Sequence, residues 1–390
     1  MITVVGYDGG ELADDARERI AEAELVVGGA RHLAALPEGI PTRVWSRISE
    51  DLQALLAIEG DGVVLASGDP GLFGPVRRLR ELTDEVEVLP ALSSVQLAFA
   101  RAGLPWDDAV VVSAHGRSVR PAVNVCRAHP KVAVLTGPDS GPDVLGAALV
   151  GWERGLFVAE HLGSPDERCR WVAPADAGDQ EWEEPNVVLV VDRTRSVRST
   201  MGWLAGREQP GAWALPEDAF QHRDEMVTKS EVRALALARL GPRLGDLVWD
   251  IGAGSGSVAV ECARLGAAVV AVERGEVEHL EANVAAFAVD VRIVHDEAPG
   301  VLDALPDPDA VFVGGGGSDV AKIVRTAVER GPRVVVVALA TVDRVAEVQQ
   351  ALSPYQVEGV QLQVSRLRRL GEATGLAATN PVFVIWGTRP

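Results

Sequence analysis

The sequence predicts an α/β architecture in two domains, and three observations carry that reading. The chain has 390 residues, beyond the roughly 250–300 at which a single hydrophobic core stops growing. Short continuous apolar runs alternate with stretches of helical period, and they do so in two separate series. Between the series the rhythm breaks: Gly202, Gly206, Pro210, Gly211 and Pro216 are scattered among polar residues and tryptophans, which is the composition of a connecting segment. The expected layout is a domain over residues 1–195, a linker over 196–225 and a second domain over 226–390.

The first series comprises ITVVG from Ile2, LVVGG from Leu25, GVVLASG from Gly62, AVVVSAHG from Ala109, KVAVLTG from Lys131 and NVVLVVD from Asn186. The second opens with a helical stretch over 230–240. It continues through DLVWDIG from Asp246, AVVAVE from Ala268, VRIVHD from Val291, AVFVGG from Ala310, RVVVVAL from Arg333 and PVFVIWG from Pro381. Runs that are apolar at every position suit strands covered on both faces. They predict doubly wound sheets whose ligands sit at the carboxyl ends of the strands, one site per half.

Composition narrows the function. Hydrophobic residues at 47% and charged residues at 24% describe an ordinary globular protein. A net charge of -19 repels a phosphate backbone and argues against nucleic acid as a partner. A local arginine cluster can still dominate the field inside a cleft and receive a small polyanion. Cys126, Cys169 and Cys262 have no CxxC spacing, and the seven histidines show no ligand pattern, so neither a disulfide framework nor a metal site is expected. The N-terminus enters an apolar strand with no basic leader, and no apolar run reaches about 18 residues. A cytoplasmic protein without a membrane segment is the expectation.

The sharpest motif is Asp250-Ile-Gly252-Ala-Gly254-Ser-Gly256, between the strand LVWDI and the helical stretch SVAVECARL. Glycines there permit a tight turn and close backbone approach, and the helix start offers free N–H groups to an anion such as a methionine carboxylate. The next strand ends at Glu273, placed to accept hydrogen bonds from ribose hydroxyls. Ser257 stands where the dinucleotide pattern GxGxxG wants its third glycine, so the motif favours S-adenosylmethionine over NAD. An NAD-linked oxidoreductase is the competing reading.

The C-terminal segment, over about 220–390, resembles the decarboxylating half of precorrin-6Y methyltransferases, the CbiT-like domain. The resemblance rests on Thr228, Lys229, Glu231 and Arg233 before the glycine loop, Glu297-Ala298-Pro299, the glycine run 314–317, and Asn380-Pro381-Val382. It implies a Rossmann-like class I S-adenosylmethionine-dependent methyltransferase domain. Thr228, Glu297 and Gly315 then join Asp250, Gly252, Gly254, Gly256 and Glu273 at the cofactor, with Glu297 at the adenine. The N-terminal half, from residue 2 to about 192, resembles a tetrapyrrole methylase α/β domain of the CbiE type. It does so through LVVGGARHL, Ser67-Gly68-Asp69-Pro70-Gly71, the stretch from Pro90 through Ser93, Ser94 and Gln96, Ser113-Ala-His115-Gly116-Arg117, Leu135-Thr136-Gly137-Pro138 and Glu160-His161-Leu162-Gly163. Gly68, Asp69, Pro70, Ser93, Ser94 and Thr136 are its implied cofactor residues. One departure is Asp8, in Val5-Gly6-Tyr7-Asp8-Gly9-Gly10, where that family usually has glycine; a first half that only binds substrate is the alternative this raises.

The fusion resembles the CobL type of enzyme. It implies methylation of a precorrin at two ring carbons with loss of one acetate carboxyl, in cobalamin biosynthesis, by a homo-oligomer. Methyl transfer to a conjugated ring needs positioning and desolvation rather than a catalytic triad. Because a precorrin carries many carboxylates, arginines are expected to hold it: Arg117 and Arg120 in the first half, beside His115, and Arg366, Arg368 and Arg369 in the second.

Overall fold

The computed structural model describes residues 1–45, 48–197, 204–207, 210–223 and 227–390. They divide into two compact units. Met1–Arg117, Lys131–Val150 and Arg154–Ala205 form one; Ser118–Pro130, Gly151–Glu153 and Gly206–Pro390 form the other.

The first unit contains two five-stranded sheets. One consists of β1 (Ile2–Tyr7), β2 (Leu25–Gly28), β3 (Thr42–Val44), β4 (Gly62–Ser67) and β5 (Val86–Leu89), ordered β3-β2-β4-β1-β5 and parallel throughout. The other consists of β6 (Val110–Ser113), β7 (Lys131–Leu135), β8 (Gly155–Glu160), β9 (Arg168–Val172) and β10 (Asn186–Val191), ordered β6-β7-β10-β8-β9. Here only β6 and β7 run parallel; β10 is antiparallel to both β7 and β8, and β8 to β9. This mixed sheet differs from the doubly wound arrangement that the apolar runs predict. For the pair β8 and β9 the cause is their short connection, which cannot make the crossover that a parallel pair needs.

The second unit is built on β11 (Leu247–Ile251), β12 (Ala268–Glu273), β13 (Val291–His295), β14 (Ala310–Val313), β15 (Val334–Leu339), β16 (Gln356–Leu362) and β19 (Val382–Thr388), ordered β13-β12-β11-β14-β15-β19-β16. Strands β17 (Ser365–Leu370) and β18 (Ala373–Ala378) form a separate antiparallel hairpin. The first five strands of the large sheet are parallel, and β19 enters antiparallel between β15 and β16. Strand order reverses on either side of β11, which places a ligand crevice at its carboxyl end. The motif LVWDI shows why the run is apolar on both faces: Leu247, Trp249 and Ile251 enter one core layer and Val248 the other. Trp249 is fully buried, and its indole Nε1 donates to the Pro306 carbonyl at 3.1 Å.

Three stretches join this unit from outside the expected 226–390: Ser118–Pro130, Gly151–Glu153 and the chain from Gly206. The part of the linker segment from Gly206 onward is packed on it. Arg207 donates to the Arg264 and Leu265 carbonyls, the Leu215 amide donates to Glu261, and Phe220 is buried. The buried Arg233 ties the same segment down through the Leu215 and Thr228 carbonyls, with Glu261 beside it. The helix Val119–Ala128 also belongs here: Asn124 donates to the Gly245 carbonyl at 3.0 Å and Arg120 to that of Asp307 at 2.9 Å, while Ala128 and Trp152 sit against the core of the large sheet.

Candidate active sites

In the second unit Asp250, Gly252, Gly254, Gly256, Glu273 and Gly315, six of the eight residues expected at the cofactor, lie together at the carboxyl end of β11. Gly252, Gly254 and Gly256 all have positive φ, at 73°, 54° and 74°. At Gly252 the need for glycine is steric as well, because a Cβ there would lie 2.7 Å from the Cα of Gly315. The turns after β11 and β14 therefore touch backbone to backbone. Gly256 opens the helix Ser257–Arg264.

Asp250 does something the motif alone does not reveal. It is buried, and its Oδ2 accepts from the Ala259 amide at 2.8 Å, capping that helix from the neighbouring strand. Its Oδ1 is buried with no hydrogen-bond partner. Burial raises this carboxyl to about 7 against the single opposing amide bond, with the Glu273 charge adding to the rise. Glu273, at the end of β12, accepts from the amides of Gly254 at 2.8 Å and Gly275 at 2.7 Å. Its carboxylate is thus fastened to the glycine loop, and each oxygen keeps a further lone pair. Glu297 is exposed and pairs with Arg274 at 3.1 Å. Thr228 presents its carbonyl to Arg233.

Arg366, expected at a ligand carboxylate, is engaged by two carboxylates of the protein itself. It donates to both oxygens of Glu217 and both of Glu231. The guanidinium holds the Glu217 carboxyl down to about 2 and Glu231 also below its usual value. Arg368 and Arg369 lie on the same hairpin, exposed, with no ion pair among the described residues. Arg120 pairs with Asp309 at 2.9 Å.

The first unit holds a cavity of about 860 Å³. Its wall includes the carboxyl ends of β1 and β4 and gathers Asp8, Gly68, Asp69, Ser93, Ser94, His115, Arg117 and Thr136. Pro70 is not on that wall. Gly68 turns with φ 62° and its amide donates to the Tyr7 carbonyl at 2.8 Å. Asp69 is spent on the turn, accepting from the Gly71 amide at 2.7 Å. Ser93 forms a capping box with Gln96 at the start of the helix Ser94–Ala102. Thr136 donates from its hydroxyl toward Asn186. His115 meets the Thr136 carbonyl through Nδ1 at 3.1 Å, which makes Nδ1 the donor; Arg117 donates to the Ser113 hydroxyl at 2.9 Å. Asp8 sits in ordinary backbone, its Oδ1 accepting from the Gly10 amide at 3.0 Å, and the positive φ falls on Gly9 instead. The loop accommodates the aspartate without left-handed strain.

The cavity also exposes residues to which the sequence reading assigned no role at the site, among them Tyr7, Arg31, His32, Ser67, His161 and Asn186. Arg31 and His32 lie within LVVGGARHL, directly after β2. Their position at a strand end was the signal available.

Residues 5–176 match the tetrapyrrole (corrin/porphyrin) methylases, and residues 218–389 match the precorrin methyltransferase domain. The chain is a methyltransferase enzyme of two fused methylase domains. Over 97% of its length it is 35% identical to a precorrin-6Y C(5,15)-methyltransferase [decarboxylating] of a Sinorhizobium species, covering 93% of that protein. Two half-length relatives each match part of it. One is a probable cobalt-precorrin-6B C(15)-methyltransferase (decarboxylating) of Pyrobaculum calidifontis, 36% identical over 44% of this chain and 93% of its own. The other is a cobalt-precorrin-7 C(5)-methyltransferase of Salmonella typhimurium, 34% identical over 50% of this chain and all of its own. The chain belongs to the precorrin-6Y C(5,15)-methyltransferase (decarboxylating) family. Among the described residues, no group of side chains could hold a metal and no helix is long and apolar enough to cross a membrane.

Proposed function

We propose that this chain methylates a precorrin at two ring carbons, using S-adenosylmethionine at one site in each unit, and releases one acetate carboxyl as carbon dioxide. The observation that carries the reading is the meeting of Gly252, Gly254, Glu273 and Gly315 at the point where the strand order of the large sheet reverses. When bound, S-adenosylmethionine would supply a sulfonium methyl group to an electron-rich ring carbon, the new C–C bond forming in line with the breaking S–C bond as the neutral thioether S-adenosylhomocysteine leaves. The residues present fit such a cofactor. A Cβ at Gly254 would meet open space, which leaves its backbone approachable, and Glu273 keeps lone pairs for ribose hydroxyls. The helix start at Ser257 offers amides to a carboxylate. In the first unit, the turn at Gly68 and the helix start at Ser94 have the same character on the cavity wall. His115 and Arg117 supply polar contacts to the macrocycle there, and Arg368 and Arg369 supply cations on the hairpin of the second unit. Decarboxylation follows from the resemblance of the second unit: the electrons of the broken C–C bond enter the conjugated ring, which then takes up a proton.

Calorimetric titration of the full chain tests this reading. Two S-adenosylmethionine molecules should bind per chain, one lost in Gly254→Arg and the other in Gly68→Arg, with no binding of NADH. Incubation with precorrin-6Y should then give a doubly methylated product and one carbon dioxide. Absence of cofactor binding, or binding of NADH in its place, overturns the reading.

A further inference from the structure

We propose that Arg31 anchors a carboxylate arm of the macrocycle in the cavity of the first unit, as a guanidinium held in place by two neutral partners and left without an anion of its own. This rests on the polycarboxylate substrate proposed above and adds a residue that recognises it.

Arg31 follows β2 and lines the cavity. Its Nε donates to His32 Nε2 at 3.0 Å and its Nη2 donates to the Ser67 hydroxyl at 3.1 Å. A ring nitrogen that accepts from a guanidinium carries no proton, and His32 is built to remain neutral. It is buried, Tyr7 meets it edge-on at 5.6 Å, and burial, with the Arg31 charge second, draws its pKa down to about 4. Ser67 carries no charge. Two of the five N–H donors of the guanidinium are therefore used and its charge is uncompensated.

The acidic residues on the cavity wall do not supply the missing anion. Asp8 and Asp69 each fold back on a turn amide, at Gly10 and Gly71, and neither they nor Asp166, the third acid on the wall, forms an ion pair with Arg31 among the described residues. Other arginines of the same unit behave differently: Arg19 pairs with Glu87, Arg101 with Glu167 and Arg168 with Glu183. Unlike these three, Arg31 lines the cavity. Partial burial lowers the Arg31 pKa, the mark of a cation given up by water without a counter-charge. A carboxylate arriving with the ligand would complete it, since carboxylate and guanidinium match in shape and charge. Arg117, bonded only to Ser113 on the same wall, offers a second contact of this kind.

The test uses the full chain with precorrin-6Y and S-adenosylmethionine, the products resolved by mass and carbon dioxide counted separately. Arg31→Gln should raise the KM for the macrocycle in the methyl transfer assigned to the first unit roughly 10- to 100-fold, the value of a hydrogen bond to a charged group. The kcat and the KM for S-adenosylmethionine should stay within about twofold, carbon dioxide release should be unchanged, and Arg31→Lys should recover part of the loss. An unchanged macrocycle KM in Arg31→Gln overturns the assignment while leaving the wild-type activity as proposed. So does a loss shared equally with cofactor binding. A wild-type chain that transfers no methyl group to the macrocycle removes the function proposed above, and the anchor with it.

Discussion

At the scale of single residues, Asp250 shows how far a motif can be read. That an acid precedes the glycines is plain from the sequence. That it caps the helix Ser257–Arg264 depends on where Ala259 lies in three dimensions, and no spacing rule states that. The pH consequence follows from its burial. The unfolded chain ionises this group near 3.8 and the folded one at about 7, so between those values the folded state holds the extra proton. Its contribution to stability is full below 3.8 and declines as pH rises through 7, by at most ~1.4 kcal/mol per pH unit. Glu217 acts in the opposite sense and over a lower window: held at about 2 against 4.5, it stabilises above 4.5 and loses that effect as pH falls toward 2. Urea unfolding of Asp250→Asn should thus show less decline than wild type between pH 5 and 7.5, and greater stability at pH 8. A variant weaker than wild type at pH 8 would contradict the account. The glycines separate two effects in the same way. Gly252→Ala forces a Cβ onto the Gly315 backbone and should lower the thermal midpoint of the second unit by several degrees. Gly254→Ala meets open space and only the cost of a left-handed backbone, roughly 1 kcal/mol, so it should fold nearly as wild type.

At the scale of elements, the strands that were legible are those buried on both faces. LVWDI, AVVAVE, AVFV and NVVLVV are apolar at nearly every position because helices or loops cover them. Most of those missed are exposed or lie at sheet edges: β3, β9 and β16 to β18 carry arginine, glutamate, glutamine and glycine in strand positions, since little apolar cover is required of them, and β5 is an edge strand with a glutamate; β8 was missed although it is buried inside its sheet. Arg31 was hidden for a related reason. Which residue of a strand-end loop turns into a cavity is decided by the whole sheet. The carboxylate partners of Arg366, Glu217 and Glu231, were not legible because they are some 140 residues away in sequence. This clasp holds the hairpin of β17 and β18, whose Leu367 and Leu376 stand exposed side by side. Arg366→Ala should cost about 1 kcal/mol or less in global stability, because the network is partly solvated. Limited proteolysis should nevertheless cut the hairpin faster than in wild type; an unchanged cleavage pattern would mean the clasp is dispensable.

At the scale of the whole molecule, the alternation of runs foretold two α/β units, while the border between them was only partly visible. A glycine- and proline-rich stretch announces a connection, yet from Gly206 it is packed on the second unit through Leu215, Phe220 and the buried Arg233. The intrusion of the helix Val119–Ala128 was illegible for a simpler reason: sequence continuity puts it in the first half, and only Asn124 and Arg120 reveal the other attachment. Arg233→Met should therefore destabilise the second unit by roughly 1–3 kcal/mol, since it removes the donors to the Leu215 and Thr228 carbonyls and one of the two arginines beside the buried Glu261, Arg264 being the other, and differential calorimetry should show that transition moving ahead of the other. The borrowed helix has a consequence in time. Everything the first unit needs has left the ribosome by Ala205, but the sheet that receives Val119–Ala128 is closed only by β19, roughly 180 residues later, which at about 5–20 residues per second is some 10 to 40 seconds. For that interval a finished unit carries a helix still waiting for its partner, and the nascent chain is at its most vulnerable to chaperone capture or aggregation.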